Sequence, residues 1–113
     1  MVSGREDSDL VDKGSLIVID DEESVLDIIE NYFQKRGFDV YRALGGHEAR
    51  DILSGKECEV ALIDLKLPDC SGLDLIKEFN ERFPRMKCVI MTAFASVEST
   101  ITALRHNVFD YVQ

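Results

Sequence analysis

Two periodicities alternate along this 113-residue chain, and that alternation restricts its fold more than any single motif does. Short apolar runs, several rich in β-branched residues, recur as "SLIVID" (15–20), "FDVYRA" (38–43), "EVALID" (59–64), "KCVIMTA" (87–93) and "FDYV" (109–112). They have the length and content of strands buried in a sheet. Between them the apolar residues change to a helical period. Val25, Ile29, Tyr32 and Phe33, with Ile28 beside them, mark a first helix that Gly37 stops after Lys35 and Arg36. "GGHEARDILSG" (45–55) is a short helix with Ala49, Ile52 and Leu53 turned inward.

"LKLPDCSG" (65–72) reads as a loop, because Pro68 cannot continue a helix and holds the preceding residue extended. Ser71, with Asp74 three residues later, then starts a third helix whose buried face is Leu73, Ile76, Phe79 and Phe83. Val97, Ile101 and Leu104 define a fourth, which Asn107 can close in a left-handed conformation. The order is β-α-β-α-β-α-β-α-β. It predicts an α/β domain, a parallel sheet wrapped by helices on both faces.

Composition narrows the class further. One hydrophobic core suffices at this length, and no apolar stretch approaches the roughly 18 residues of a membrane span. The opening "MVSGREDSDLVDKG" is polar and acidic, unlike a signal or transit peptide. Residues 1–14 are therefore expected to be a disordered acidic leader, and the location cytoplasmic. A formal charge of −9 opposes phosphate backbones and excludes direct nucleic-acid binding as the expected role. Cys58, Cys70 and Cys88 have neither C-x-x-C spacing nor an even count, so they read as reduced thiols. His47 and His106 have no partner pattern and are expected to face solvent.

The informative residues are carboxylates at strand ends. Asp20 and Asp21 end the first run, Asp64 the third, Thr92 the fourth, and Tyr111 lies near the end of the fifth. In an open parallel sheet, sites form beyond the carboxyl ends of the strands, where the strand order reverses. If the first and third strands are neighbours, three carboxylates converge there. Like charges so placed destabilise the fold unless something positive binds, and a set of hard oxygen donors suits Mg²⁺.

Such a site also suits phosphoryl transfer. Asp64, alone at its strand end, is the candidate nucleophile for an aspartyl-phosphate, with Asp20 and Asp21 holding the metal. Thr92, followed by the small Ala93, can hydrogen-bond a phosphoryl oxygen. Taken singly, each aspartate is more often a turn residue or helix cap. It is their coincidence at several strand ends that favours a site. Glu22 and Glu23 read as partners of the helix dipole, and Tyr111 by itself as a half-buried aromatic.

The runs "IVIDDEESV", "ALIDLKLPDCSGLDLI" and "VIMTAFASVESTITALRHNVFDYV" together resemble the receiver domain of two-component response regulators, from about residue 15 to the last residue. The stretch "MTAFASVEST" is especially similar to receivers of sigma-54-dependent, nitrogen-regulatory-type transcriptional activators. The resemblance implies a flavodoxin-like doubly wound five-stranded sheet over residues 15–113. It implies that Asp64 accepts phosphate from a histidine kinase. Mg²⁺ would be bound by the side chains of Asp21 and Asp64, by Asp20 through water, and by the backbone carbonyl of Lys66. Thr92 and Tyr111 would be the switch residues. An output domain or downstream protein would read the surface of the fourth helix and fifth strand, through which a homodimer would also form.

The family carries a lysine directly after the fifth strand, then a fifth helix. Here Gln113 is the last residue, so the expectation is a receiver truncated at its C-terminus and lacking the last helix. Asn107 and Val108 stand where the family more often has glycine and alanine. Nothing in the sequence accounts for Val108.

Two other functions compete with a switch that is not an enzyme beyond its own phosphorylation and dephosphorylation. One is a degenerate receiver, unphosphorylated, acting as a protein-binding module. The other is an aspartyl-phosphate hydrolase, whose nucleophile strand typically carries a second aspartate where this chain has Lys66.

Overall fold

The computed structural model describes residues 14–91 and, as backbone, a strand at 110–112. The elements run β1 (Ser15–Ile19), α1 (Glu23–Gln34), β2 (Asp39–Ala43), α2 (Gly46–Leu53), β3 (Val60–Asp64), α3 (Gly72–Arg82), β4 (Lys87–Met91) and β5 (Asp110–Val112). All pairings are parallel and the strand order is β2-β1-β3-β4-β5. The expected neighbours β1 and β3 are adjacent, paired from Leu16 opposite Val60 to Ile19 opposite Ile63. The expected helix over 97–107, Thr92, His106 and the first 13 residues lie outside the described residues.

Helices cover both faces because alternate strand residues point to opposite sides. One side of the sheet presents Leu16, Val18, Val40 and Leu62 to Leu26, Ile29 and Phe33 of α1. The other presents Ile17, Ile19, Ala61, Ile63, Cys88 and Ile90 to Ala49 and Leu53 of α2 and to Leu75, Ile76 and Phe79 of α3. Burying each such aliphatic side chain contributes about 1.5–3 kcal/mol. β1, wholly buried after its first residue, is the axis of both layers.

Two helix faces differ from the sequence reading. On α1 the buried residue is Leu26, whereas Ile28 is 68% exposed and Tyr32 47% exposed. The seam that meets the sheet runs Leu26, Ile29, Phe33, a spacing that the neighbouring apolar residues masked. On α3, Leu75 joins Ile76 and Phe79 in the core, while Leu73 and Phe83 are only partly buried.

The expected boundaries have local causes. Gly37 takes φ 94°, a backbone conformation that stops α1 and turns the chain into β2. The Ser71 side chain accepts a hydrogen bond from the Leu73 amide and caps α3. Gly14 accepts from the Asp39 amide at 3.0 Å. The three cysteines are free thiols, and His47 is exposed as expected.

Candidate functional site

The polypeptide leaves β1 and β3 on the same edge of the sheet, and that edge carries the acidic residues. β1 runs out directly into Asp20, which is 6% exposed and the only buried charged residue among those described. Its backbone is held by a hydrogen bond from the Asp20 amide to the Ala43 carbonyl, 3.1 Å, at the end of β2. Its side chain accepts from the Glu22 amide at 2.9 Å, where α1 begins. Asp21 is exposed. Asp64 is the last residue of β3 and half-buried, opposite Met91 of β4.

Asp20, Asp21 and Asp64 each offer a carboxylate oxygen, and the three oxygens lie within 4.8 Å of one another. No other metal-competent cluster of histidine, cysteine or acidic side chains occurs among the described residues. The electrostatics show the strain of this gathering. Burial, followed by the charges of Asp64, Asp21 and Glu22, pushes the Asp20 carboxyl up to about 6, although the Glu22 amide opposes the shift. Burial also raises Asp64, together with the charges of Asp21 and Glu22, against hydrogen bonds from the Lys66 and Leu65 amides. Two carboxylates that both resist ionisation, beside a third that is exposed, make a site that favours a bound cation.

The loop after Asp64 borders the cluster. The Lys66 amide approaches Asp64 Oδ1 at 3.4 Å, and the Lys66 backbone bridges antiparallel to Ser71. The Gly72 amide donates to the Leu65 carbonyl at 2.8 Å, which closes the base of the loop. Gly72 is there for space: a side chain would drive into the backbone of Asp64 and Leu65. The loop's tip reaches across to α2, where Asp69 Oδ1 accepts from the Gly46 amide at 2.9 Å and Oδ2 from the His47 amide at 2.8 Å.

Of the residues singled out from the sequence, the structure brings together Asp20, Asp21 and Asp64, with Lys66 adjacent in the loop. Thr92, directly after β4, is not among the described residues. Tyr111 is placed only by its backbone, opposite Ile90 in the β4–β5 ladder. Glu22 is the N-cap of α1 and Glu23 lies in its first turn, consistent with a role toward the helix dipole. The sequence reading missed Asp69. Its signal was the adjacent pair Gly45 and Gly46, two positions where a β-carbon would collide with Asp69 and Cys70 respectively.

An acidic cluster at the β1/β3 switch point of a doubly wound sheet defines an α/β domain with a cation-type site at its carboxyl edge. This chain belongs to the response regulator receiver domain family, whose model matches residues 16–113.

It is 32% identical over 97 residues to the Escherichia coli regulatory protein AtoC, covering 86% of this chain and 21% of that one. It is 31% identical over 96 residues to the Pseudomonas aeruginosa response regulator protein PilR, covering 85% and 22%. The chain thus spans about a fifth of the length of these curated relatives.

Among solved structures, a CheY-like receiver domain protein from Methanospirillum hungatei superposes with a TM-score of 0.84 at 25% identity, covering 90% of this chain and 80% of that one. A response regulator from Burkholderia pseudomallei, determined with a phosphorylated aspartic acid, a calcium ion and citrate, gives 0.82 at 26% identity, covering 87% and 58%. Among the described residues, no helix is long and apolar enough to cross a membrane.

Proposed function

We propose that this chain is a phosphorylatable signalling switch of a two-component system, with Asp64 as the phospho-acceptor and Mg²⁺ as the cofactor. The observation that carries this reading is the convergence of Asp20, Asp21 and Asp64 within 4.8 Å at the switch point of the sheet. Asp21 and Asp64 would hold the ion through their side chains, Asp20 through water, and Lys66 through its backbone carbonyl. The donor set fits: it is all oxygen, and two of its carboxylates have raised pKa values that a cation would relieve. When bound, Mg²⁺ supplies charge neutralisation between the acceptor and the incoming phosphoryl group.

In the transfer, an Asp64 carboxylate oxygen attacks phosphorus. The bond from phosphorus to the imidazole nitrogen of a kinase phosphohistidine breaks, and that nitrogen keeps the electron pair. Asp64 suits the role because it is half-buried at a strand end. Thr92 would hydrogen-bond a phosphoryl oxygen, and Tyr111 would respond by changing rotamer, as the family resemblance implies. Phosphorylation turns the singly charged carboxylate at the end of β3 into an acyl phosphate with close to two negative charges and three further acceptor oxygens, enough to bias a two-state equilibrium that an output partner reads. The resemblance of "MTAFASVEST" to receivers of sigma-54-dependent activators supports a transcriptional output through a further domain or protein, and the location that goes with that role is cytoplasmic. Apart from its own phosphorylation and dephosphorylation the chain is not an enzyme, since Lys66 stands where a hydrolase would place its second aspartate.

The test offers two substrates in the presence of Mg²⁺. Excess acetyl phosphate is expected to load one phosphoryl group per chain, while para-nitrophenyl phosphate is not turned over. Continuous turnover of the phosphomonoester would replace the switch with a hydrolase. Loading by neither donor, nor by a phosphorylated kinase, would replace it with a binding module.

A further inference from the structure

The helix α2 has no cap of its own. Its N-cap residue is Gly45, extended at φ −170°, with no side chain to receive the first free amides. Those amides go instead to Asp69, 23 and 22 residues later in the chain, one to each carboxylate oxygen at 2.9 and 2.8 Å. The approach depends on two glycines. A β-carbon on Gly45 would come within 2.8 Å of Asp69 Oδ1, and one on Gly46 within 2.6 Å of Cys70 Sγ. The amides of His47 and Gly46 hold the Asp69 carboxyl below its ordinary range, so it is ionised when it makes this contact at neutral pH.

Asp69 sits at the tip of the loop that begins at Asp64 and contains Lys66. The base of that loop is closed by the Gly72–Leu65 hydrogen bond and the Lys66–Ser71 bridge. Leu65 and Leu67 lean on the core through non-directional contacts, and the Cys70 thiol adds weak hydrogen bonds with Asp69 and the Gly46 amide. The Asp69 carboxylate is the charged tie, and it fastens the tip to a helix that is itself anchored on the sheet through Ala49 and Leu53.

We infer that Asp69 is a positioning residue for the phosphoryl-transfer site, its two hydrogen bonds to the N-terminus of α2 holding the 65–71 loop so that the Lys66 backbone is presented to the cation. This rests on the proposed metal-dependent function, and it deepens that reading by assigning a role to a residue that touches neither metal nor phosphate. It also gives the Gly45–Gly46 pair a purpose: both side chains are sacrificed so that a distant carboxylate can replace a local cap.

The experiment separates positioning from simple helix stability with two variants of the full chain. Asp69→Ala removes the clamp. Asp69→Ala with Gly45→Ser removes it but gives α2 a local serine cap, in space that the missing carboxylate vacates. Melting temperature, amide hydrogen exchange in metal-free protein, and calorimetric Mg²⁺ titration are measured on each.

Asp69→Ala is expected to melt lower, to exchange the amides of residues 66–71 faster, and to raise the half-saturating Mg²⁺ concentration about tenfold, as loss of a supporting hydrogen bond behind a metal ligand does. The serine is expected to restore the melting temperature while exchange stays fast and Mg²⁺ binding stays weak. If it restores all three, Asp69 acts only by stabilising α2 and the proposal is overturned. Unchanged loop exchange and Mg²⁺ binding in Asp69→Ala overturns it equally. Failure of the wild type to bind Mg²⁺ would instead overturn the reading of the site, and the positioning role with it.

Discussion

The backbone of Gly72 lies directly against the carbonyl oxygen of Asp64, so close that a β-carbon at position 72 would overlap it. The first residue of α3 is thereby packed onto the last residue of β3, and the seven-residue loop between them is pinched shut at its base. The Asp64 backbone and the start of α3 are thereby coupled.

Gly72→Ala is accordingly expected to destabilise the protein by about 1–3 kcal/mol, the usual penalty for forcing extra volume into a packed site. On propensity alone alanine would favour the helix by up to about 1 kcal/mol. Urea denaturation gives the sign: a variant as stable as the wild type would mean that the loop base relaxes freely.

The raised pKa of Asp20 makes a pH prediction. A carboxyl whose folded pKa of about 6 exceeds the ordinary 3.8 favours folding at low pH, and that contribution is lost as pH rises from about 4 through 6. Asp64 acts in the same direction. Asp69 and Glu78 act oppositely: their pKa values are lowered, by the α2 amides and by Arg50 and Arg82, so their contribution is lost as pH falls below about 4. Metal-free protein should therefore be most stable between about pH 4 and 5 and weaker by pH 7, and saturating Mg²⁺ should remove the weakening. Denaturation across pH 3.5–8 with chelator or with Mg²⁺ measures both; stability rising from pH 5 to 7 without metal would contradict the assignment.

The same relationship predicts an asymmetric mutant. Asp20→Asn keeps the oxygen that accepts from the Glu22 amide but removes the buried charge. It should stabilise the metal-free protein at pH 7 by roughly 1–2 kcal/mol, allowing for screening by water at the site's open rim. It should also abolish the rise in melting temperature that Mg²⁺ gives the wild type. Thermal melts with and without Mg²⁺ check the two effects together.

Stability that does not depend on the site resides in the layer beneath it. Phe79 is fully buried between α3 and the sheet, edge-on to Phe83 at 5.7 Å. Phe79→Ala should cost about 3–5 kcal/mol. By contrast, Arg42, which reaches Asp27 at 2.6 Å and Glu30 at 2.9 Å across the α1 surface, should cost far less when replaced by alanine, with the effect shrinking as salt is added. Chemical denaturation of the two variants checks this order.

The strands were legible because a parallel sheet buries both faces, and continuous runs such as Leu16 to Ile19 leave no other reading. The acidic cluster was legible for the same reason: a charge directly after such a run must lie at a strand end, and three at neighbouring ends must meet. Helix faces were less so. Val25, Leu26, Ile28, Ile29, Tyr32 and Phe33 offer more apolar residues than one seam can hold, and only the sheet's position selects Leu26, Ile29 and Phe33. Asp69 was missed because its partners, Gly46 and His47, are backbone amides far away in sequence, and the only trace they left was the Gly45–Gly46 pair that makes room for it.

The central claim is that Asp64 is the phospho-acceptor, and one measurement addresses it directly. The wild type and Asp64→Asn are incubated with Mg²⁺ and acetyl phosphate, weighed intact by mass spectrometry, then reduced with borohydride and sequenced by fragmentation. The account predicts one added phosphoryl group in the wild type only, with the reduced acyl phosphate mapped to position 64. A phosphoryl group retained in Asp64→Asn, or mapped to another residue, would contradict it.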